Sequence, residues 1–323
     1  MAKRSPIEQL DQAIEAMLAQ PQAAPPQVDA SLAPLLRIAA ELRDLPKQEF
    51  KSELKADLER STAMPLQTVN FIREGFHTVT PYLVVDDSPG LADFVKQAFG
   101  AEERFRGIGS GGGYHIEVKI GDSMLMLGGG GGWRGELNPT GLHMYVANVD
   151  EVFERAVQAG ATVIRGLENQ PYGDREASLR DRFGNNWYIA TRLEAGPVPQ
   201  GLHTITPYLH PQGAPQVIDF MKRAFGAEEV ARYVSPEGMV QHAQVKIGDS
   251  MIEMGEAHAE FQPMPSMFYL YVEDADAWYR RAIEAAATSI SEPADQPYGD
   301  RTGGVRDPFG NQWFIATHIK DLE

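Results

Sequence analysis

Apolar residues recur along this chain with two different periods, and the change of period divides it. Through residue 74 the spacing is helical. Ser5-Pro6-Ile7-Glu8 forms a capping box with proline at the first helical position, and Ile7, Leu10, Ile14 and Met17 or Leu18 follow on one face. The stretch PQAAPPQ at 21–27 breaks that helix. Leu32, Leu35, Leu36, Ala39 and Leu42 make a second stripe, capped by Asp29 or Ser31; Phe50, Leu54 and Leu58 make a third after Pro46. Each amphipathic helix must bury a face. Residues 1–74 therefore read as a helical N-terminal arm and linker. The arm packs either on the body of its own chain or on a partner, as in a homodimer joined through these helices.

Beyond residue 74 the pattern alternates between strand and helix. Residues 78–85 alternate like a strand, and 89–99 read as a helix with Leu91, Phe94, Val95 and Ala98 on one face. Residues 114–120 and 124–127 read as strands joined by a tight Gly121-Asp122 turn. Then come a strand at 142–146, a helix at 149–159 with Val152, Phe153, Ala156 and Val157 apolar, and strands near 162–165, 178–181 and 187–191. The unit is β-α-β-β-β, performed twice.

The whole pattern then repeats. GFHTVTPYL at 75–83 returns as GLHTITPYL at 201–209, and FGAEE at 99–103 returns at 225–229. KIGDSM at 119–124 returns at 246–251, one residue further on, and QPYGDR at 170–175 returns at 296–301 with the original offset restored. Such gains and losses belong in surface loops. The expected architecture is α+β: four βαβββ modules in two tandem repeats, 75–195 and 201–323, preceded by the helical arm.

Composition narrows the function. A net charge of −16 disfavours nucleic acid, which wants a basic face. With no cysteine, thiol catalysis and cysteine-based zinc sites are excluded. The opening MAKRSP lacks the apolar run of a secretory signal, and no stretch approaches the length of a transmembrane helix. No membrane partner is expected, and a cytoplasmic location is.

The residues that follow carry a resemblance. TPYL at the strand start, FGAEE after the first helix, the YGDR turn and the closing RDRFGNNW (180–187) or RDPFGNQW (306–313) together resemble the vicinal-oxygen-chelate superfamily, which includes glyoxalase I, bleomycin-resistance proteins and extradiol dioxygenases. The likeness is to its bleomycin-resistance-like branch. The first copy departs from that branch by having Arg182 where proline is usual. The resemblance implies paired modules around a cleft. Metal-dependent members hold a divalent ion there through one side chain from each of four strands. In a tandem chain one cleft would combine early strands of copy two with late strands of copy one, and the other the reverse.

Carried over position by position, the ligand set falls on Thr80 and Thr206, Met126 and Glu253, Gly141 and Met267, and Tyr188 and Phe314. A divalent centre wants histidine or carboxylate at nearly all of these, and only Glu253 qualifies. No metal or other cofactor is therefore expected. Strand alternation then puts Thr80, Tyr82, Met124 and Met126 on one inward face, and Thr206, Tyr208, Met251 and Glu253 on the other. His143, Tyr188, Tyr269 and Phe314 join them from the later strands. These twelve are the candidate ligand-binding residues, and none is assigned a catalytic role. His143 shares the Glu253 cleft, which is the more polar of the two and the favoured site. The pair reads either as an acid/base or partial metal pair, or as one ligand-orienting group beside one self-satisfied group.

Other residues read as structural. His77 and His203 lie at an odd offset from the threonine positions and so face away from the clefts, whereas His115 and His242 can face either way. Arg175 and Arg301, in the YGDR turns, are expected to pair with a nearby acid such as Asp181 or Asp307. Residues 107–112 match G-x-G-x-x-G but lead into a strand, not a helix, so no dinucleotide site is implied. The glycine run at 128–132 is no phosphate loop; both runs read as flexible hairpin or cleft-rim loops.

Three functions remain open. The leading one is metal-independent binding of a hydrophobic or aromatic small molecule, with antibiotic sequestration implied by the resemblance. The second is an enzyme of glyoxalase, lyase or dioxygenase type. The third is a ligand-sensing regulatory or scaffold protein acting through its arm.

Overall fold

Asp87, just beyond the first strand, begins the first helix, its carboxylate accepting from the Gly90 backbone N–H at 2.9 Å. In the computed structural model that helix, α1, runs Ser88–Phe99 and stops at Gly100, whose φ of 70° is the left-handed conformation glycine adopts without strain. Its buried face includes Leu91, Phe94, Val95 and Ala98, as the spacing predicts. The structure describes residues 70–194 and 198–321, together with Gln12, Ala13, Ala16 and Pro26. The three apolar stripes of the arm lie essentially outside the described residues.

The first copy comprises β1 (Val79–Val85), α1, β2 (Glu102–Ile108), β3 (Tyr114–Ile120) and β4 (Ser123–Gly129), then β5 (Gly141–Tyr145), α2 (Val149–Gln158), β6 (Thr162–Asn169), β7 (Asp174–Arg180) and β8 (Asn186–Arg192). The second comprises β9 (Ile205–Leu209), α3 (Ala214–Phe225), β10 (Glu228–Val234), β11 (Val240–Ile247) and β12 (Ser250–Met254), then β13 (Met267–Tyr271), α4 (Ala275–Glu284), β14 (Thr288–Asp295), β15 (Asp300–Arg306) and β16 (Gln312–His318). This is βαβββ four times. No helix among the described residues is long and apolar enough to cross a membrane.

Strands β2 and β10 are absent from the apolar pattern. Both are exposed outer edges of their sheets, and their alternation is of charges instead. Charged edges discourage pairing with another chain. On β2, Glu103 receives both Arg106 and Lys96, which hold its carboxyl down to about 2.

The modules pair across copies. One sheet runs β14-β15-β16-β13-β1-β4-β3-β2 and the other β10-β11-β12-β9-β5-β8-β7-β6. The joining pairs are antiparallel, with Thr80 opposite Tyr269 and Thr206 opposite His143. The helix-side cores are instead drawn almost wholly from one copy each, with Val79 joining the second copy's core and Ile205 the first's. Trp187 and Leu142 pack with α1 and α2 residues, and Trp313 and Leu270 with α3 and α4 residues. Each core thus comes chiefly from one copy, while each opposite sheet face is built from both.

The copies also meet at a latch. His77 lies between the Asp249 carboxylate (Nδ1–Oδ2, 2.9 Å) and the Asp122 carbonyl (Nε2–O, 3.1 Å). His203 mirrors it with Asp122 and the Asp249 carbonyl, and the two rings stack at 3.5 Å. The carboxylates also accept from the Thr78 and Thr204 backbone N–H groups. The hydrogen bond with Asp249 raises the His77 pKa above its ordinary value against the cost of burial. Stabilisation from a raised histidine is complete below its unfolded value of about 6.5 and is lost as pH rises through the folded value. His77→Gln is therefore expected to destabilise by about 0.5–1 kcal/mol at about pH 6, a small effect because Asp249 is half-exposed. The deficit should shrink toward about pH 9, and thermal unfolding of both proteins across this range measures it. A pH-independent deficit would show that the imidazolium is not what His77 supplies.

Candidate functional site

The helix-free face of the second sheet gathers polar side chains from four strands. Strand pairing sets His143 on β5 opposite Thr206 on β9 and beside Tyr188 on β8, and sets Glu253 on β12 beside Tyr208. Glu253 is 2% exposed. It accepts from His143 (Nδ1–Oε2, 2.6 Å) and from Gln244 (Nε2–Oε1, 3.0 Å), and the His242 Nε2 lies 3.7 Å away. Burial works against both charges of the pair. The Glu253 carboxylate nonetheless raises the His143 pKa, and His143 with Gln244 lowers that of Glu253. Both shifts favour the imidazolium–carboxylate form of the pair. His242, with no such close partner, is pushed down by burial.

Around this pair stands an aromatic wall. The rings of Tyr188 and Tyr208 lie 5.0 Å apart, and Tyr188 hydrogen-bonds the His210 Nε2 at 2.8 Å. His210 stacks on Phe261 at 4.9 Å, and burial pushes its pKa down to about 4, which leaves the ring neutral. On β7, Asp174 accepts from the Tyr145 hydroxyl at 2.8 Å, and burial pushes the neighbouring Glu176 carboxyl up. Met251, at 7% exposure, lies one rung beyond Glu253 on the same face.

The corresponding face of the first sheet is filled by the chain itself. Phe76 packs with Met124, Met126, Tyr269 and Tyr271, joined at the margin by Ile72, Tyr82 and Phe314. Arg73 makes two parallel bonds to the buried Glu117, Nη1–Oε1 at 2.6 Å and Nη2–Oε2 at 2.7 Å. The Phe71 carbonyl accepts from the His318 backbone N–H. Tyr82 is bound to His115 at 2.9 Å, and Tyr269 to Asp300 and Thr302. Thr80 is fully covered.

Residues 75–189 and 211–315 match the model of the glyoxalase/bleomycin resistance protein/dioxygenase superfamily, one match in each copy. The chain belongs to that superfamily. It is 30% identical over 129 residues to an uncharacterised protein of Mycobacterium bovis, covering 36% of this chain and 85% of that one. An uncharacterised protein of Mycobacterium tuberculosis matches at the same identity and length, covering 36% and 76%. Glyoxalase I from Zea mays superimposes with a TM-score of 0.59 at 12% identity, covering 74% of this chain and 92% of that chain. At that identity the likeness is one of fold.

The superfamily's divalent ion does not fit the positions that would hold it. A side chain at Gly141 would meet the Tyr208 backbone carbonyl far inside van der Waals contact, so the strand pairing leaves no room for a ligand there. Thr206 is buried, and the Tyr188 phenol is bound to His210. On the other face the positions are Thr80, Met126, Met267 and Phe314. Among the described residues, one set of three ligand atoms lies within 4.8 Å of one another, that of His77, Asp122 and His203. It is the latch, whose ring nitrogens already face oxygen acceptors.

The twelve sequence-derived residues thus fall on two helix-free faces, six on each, and His115 and His242 both turn inward with them. Arg175 and Arg301 do not pair with Asp181 and Asp307. Arg175 binds Asp150 at the start of α2, and Arg301 binds Asp276 at the start of α4 together with Asp295. Strand alternation turns these arginines toward the helices, where helix-start acids await them. The glycine runs form hydrogen-bonded turns. The Gly109 and Gly112 backbones bond within their turn, and Gly132 donates to the Gly112 carbonyl. Arg73, Glu117, Gln244 and Phe261 are absent from the sequence-derived set. One signal for two of them was legible: Glu117 and Gln244 occupy the same place in the repeat, as do Met126 and Glu253.

Proposed function

We propose that the face formed by β5, β8, β9 and β12 binds a hydrophobic or aromatic small molecule without a metal ion. The observation that carries this is the replacement at three of the four coordination positions by Thr206, Gly141 and Tyr188. Glu253 is thereby left as a buried carboxylate beside aromatic rings. Such a surface suits a planar guest, stacked on Tyr188 and Tyr208 and oriented by one charged group. Sequestration of the guest, as the superfamily's bleomycin resistance proteins suggest by name, is the simplest use of it.

A thermal-shift screen of aromatic antibiotics and metabolites, with and without a chelator, tests the reading. A ligand at about a hundredfold its Kd adds about 2.7 kcal/mol to stability. The expected hit survives chelation and binds Glu253→Gln more weakly by about 1–3 kcal/mol, the range for a lost charge-assisted bond. A hit that needs a divalent ion, or that ignores the substitution, would overturn it.

A second reading rests on the closed His143–Glu253 pair. A buried imidazolium–carboxylate pair can hand a proton to a bound molecule, which would make this face a metal-free lyase-type centre. Under that reading a hit is turned over, product accumulates in the presence of chelator, and His143→Gln abolishes turnover while leaving binding.

A further inference from the structure

Each helix-free face buries one glutamate on the rungs of its central hairpin, Glu117 on β3 and Glu253 on β12, at places one strand apart. On the first sheet the cross-strand rung is Glu117 opposite Met126. On the second it is Gln244 opposite Glu253. Facing residues on a rung share a side of the sheet, so the charge keeps its face and shifts by one strand.

What meets that charge differs. On the first face Glu117 receives a guanidinium from the chain's own Arg73, bound through two parallel hydrogen bonds and lying over the Phe76 ring at 4.8 Å. Residues 71–76 occupy this face as a guest would, a planar cation with apolar flanks. In the second copy the place of Arg73, two residues before the conserved repeat start at Gly201, is taken by Pro199. Among the described residues, no guanidinium meets Glu253, which is met by His143 and Gln244. The β7 acids Asp174 and Glu176 lie on the same side, and both add to the field at His143. The nearby Arg165 is already committed to Glu260 and to the Phe261 ring.

We infer that the second face takes a cationic guest, a guanidinium, amidinium or ammonium group on an aromatic or apolar body, seated on Glu253 as Arg73 is seated on Glu117. This rests on the reading of that face as a small-molecule site. The guest's charge competes with that of His143. The groups facing His143 are Glu253 on β12, His242 on β11, Tyr208 on β9, Tyr188 on β8, Asp174 and Glu176 on β7, and Tyr145 on its own strand. A second cation among these lowers the affinity of His143 for its proton. Binding of the cation therefore releases a proton.

Phenylguanidine and its neutral analogue phenylurea are titrated separately into the full chain by calorimetry, at about pH 6, below the ordinary histidine value. Two buffers of unlike ionisation enthalpy report proton release. Phenylguanidine is expected to bind more tightly than phenylurea by roughly tenfold or more, the yield of one charge-assisted bidentate contact. It is expected to release protons where phenylurea does not, and to lose its advantage in Glu253→Gln. Equal affinities overturn the cationic assignment while leaving an aromatic site standing. An advantage that survives in a folded Glu253→Gln, or binding without proton release, places the cation elsewhere and overturns it too. If neither probe binds, the small-molecule reading of this face falls as well. The proton measurement uses the unaltered chain, so it stands even if Glu253→Gln fails to fold.

Discussion

Asp181→Ala is expected to destabilise the chain by about 3–4 kcal/mol, because four donors lose one acceptor group together. The carboxylate receives the Phe183 and Asn185 backbone N–H groups at 2.9 Å each, the Asn185 side-chain amide at 2.8 Å and the Trp187 indole at 2.9 Å. Trp187 is fully buried and packs on Phe99 at 4.5 Å. Its N–H has no route to water without moving the core. Each buried donor left unmade costs about 1–3 kcal/mol, and only the partly exposed Phe183 N–H can recover its bond from solvent. Asp181→Asn, which keeps one carbonyl oxygen, should lose roughly half as much. Asp307 holds Phe309, Asn311 and Trp313 in the same way, so Asp307→Ala should match. Urea unfolding measures all three. A loss under about 1 kcal/mol for either alanine variant would mean that water replaces the carboxylate and that the motif is not a structural clasp.

That clasp explains why much of the fold could be read without coordinates. RDRFGNNW and RDPFGNQW each fix a turn, a buried tryptophan and the start of a last strand. The described helices announced themselves through apolar residues spaced for one buried face. Strand alternation also sufficed to put His143 and Glu253 on one face, because a slip of one residue would have turned Thr206 and Tyr208 into the core. Edge strands β2 and β10 escaped the same reasoning since neither of their faces is buried, and the apolar signal vanishes with the burial. Nearness in sequence misled the pairing of Arg175. Asp181 is close along the chain, but it is consumed by its own turn, and Asp150 is reached across the sheet-to-helix packing. Arg73 was invisible for a related reason. Its partner Glu117 lies far along the chain, and the residues around Arg73 read as a linker. Only tertiary structure reveals that the linker doubles back into a cleft.

Arg73→Ala is expected to destabilise the chain by about 2 kcal/mol near neutral pH. Removing one member of a buried ion pair costs about 3–5 kcal/mol, and the cost is discounted here because the Arg73 side chain is 36% exposed while Glu117 is 3% exposed. Burial pushes the Glu117 carboxyl up, but hydrogen bonds from His115 and Arg73 outweigh it and leave the pKa lowered. A carboxylate with a lowered folded value stabilises above its unfolded value of about 4.3, and that stabilisation is lost as pH falls through the folded value. The deficit of Arg73→Ala should therefore be full near neutrality and should close in acid, where Glu117 is protonated in both proteins. Arg73→Lys keeps the charge without the fork that engages both oxygens, so it should fall between. The decisive measurement is rescue. Ethylguanidinium restores the atoms that alanine removes, and about 10 mM, far below denaturing concentrations, should raise the melting temperature of Arg73→Ala but not of the parent. Ethylurea, of the same shape without charge, should not. Rescue by both would assign the role of Arg73 to packing, and rescue by neither would mean that the cleft closes over Glu117 when the guanidinium is gone. Rescue by the cation alone would show that a helix-free face of this chain holds a free guanidinium on a buried carboxylate.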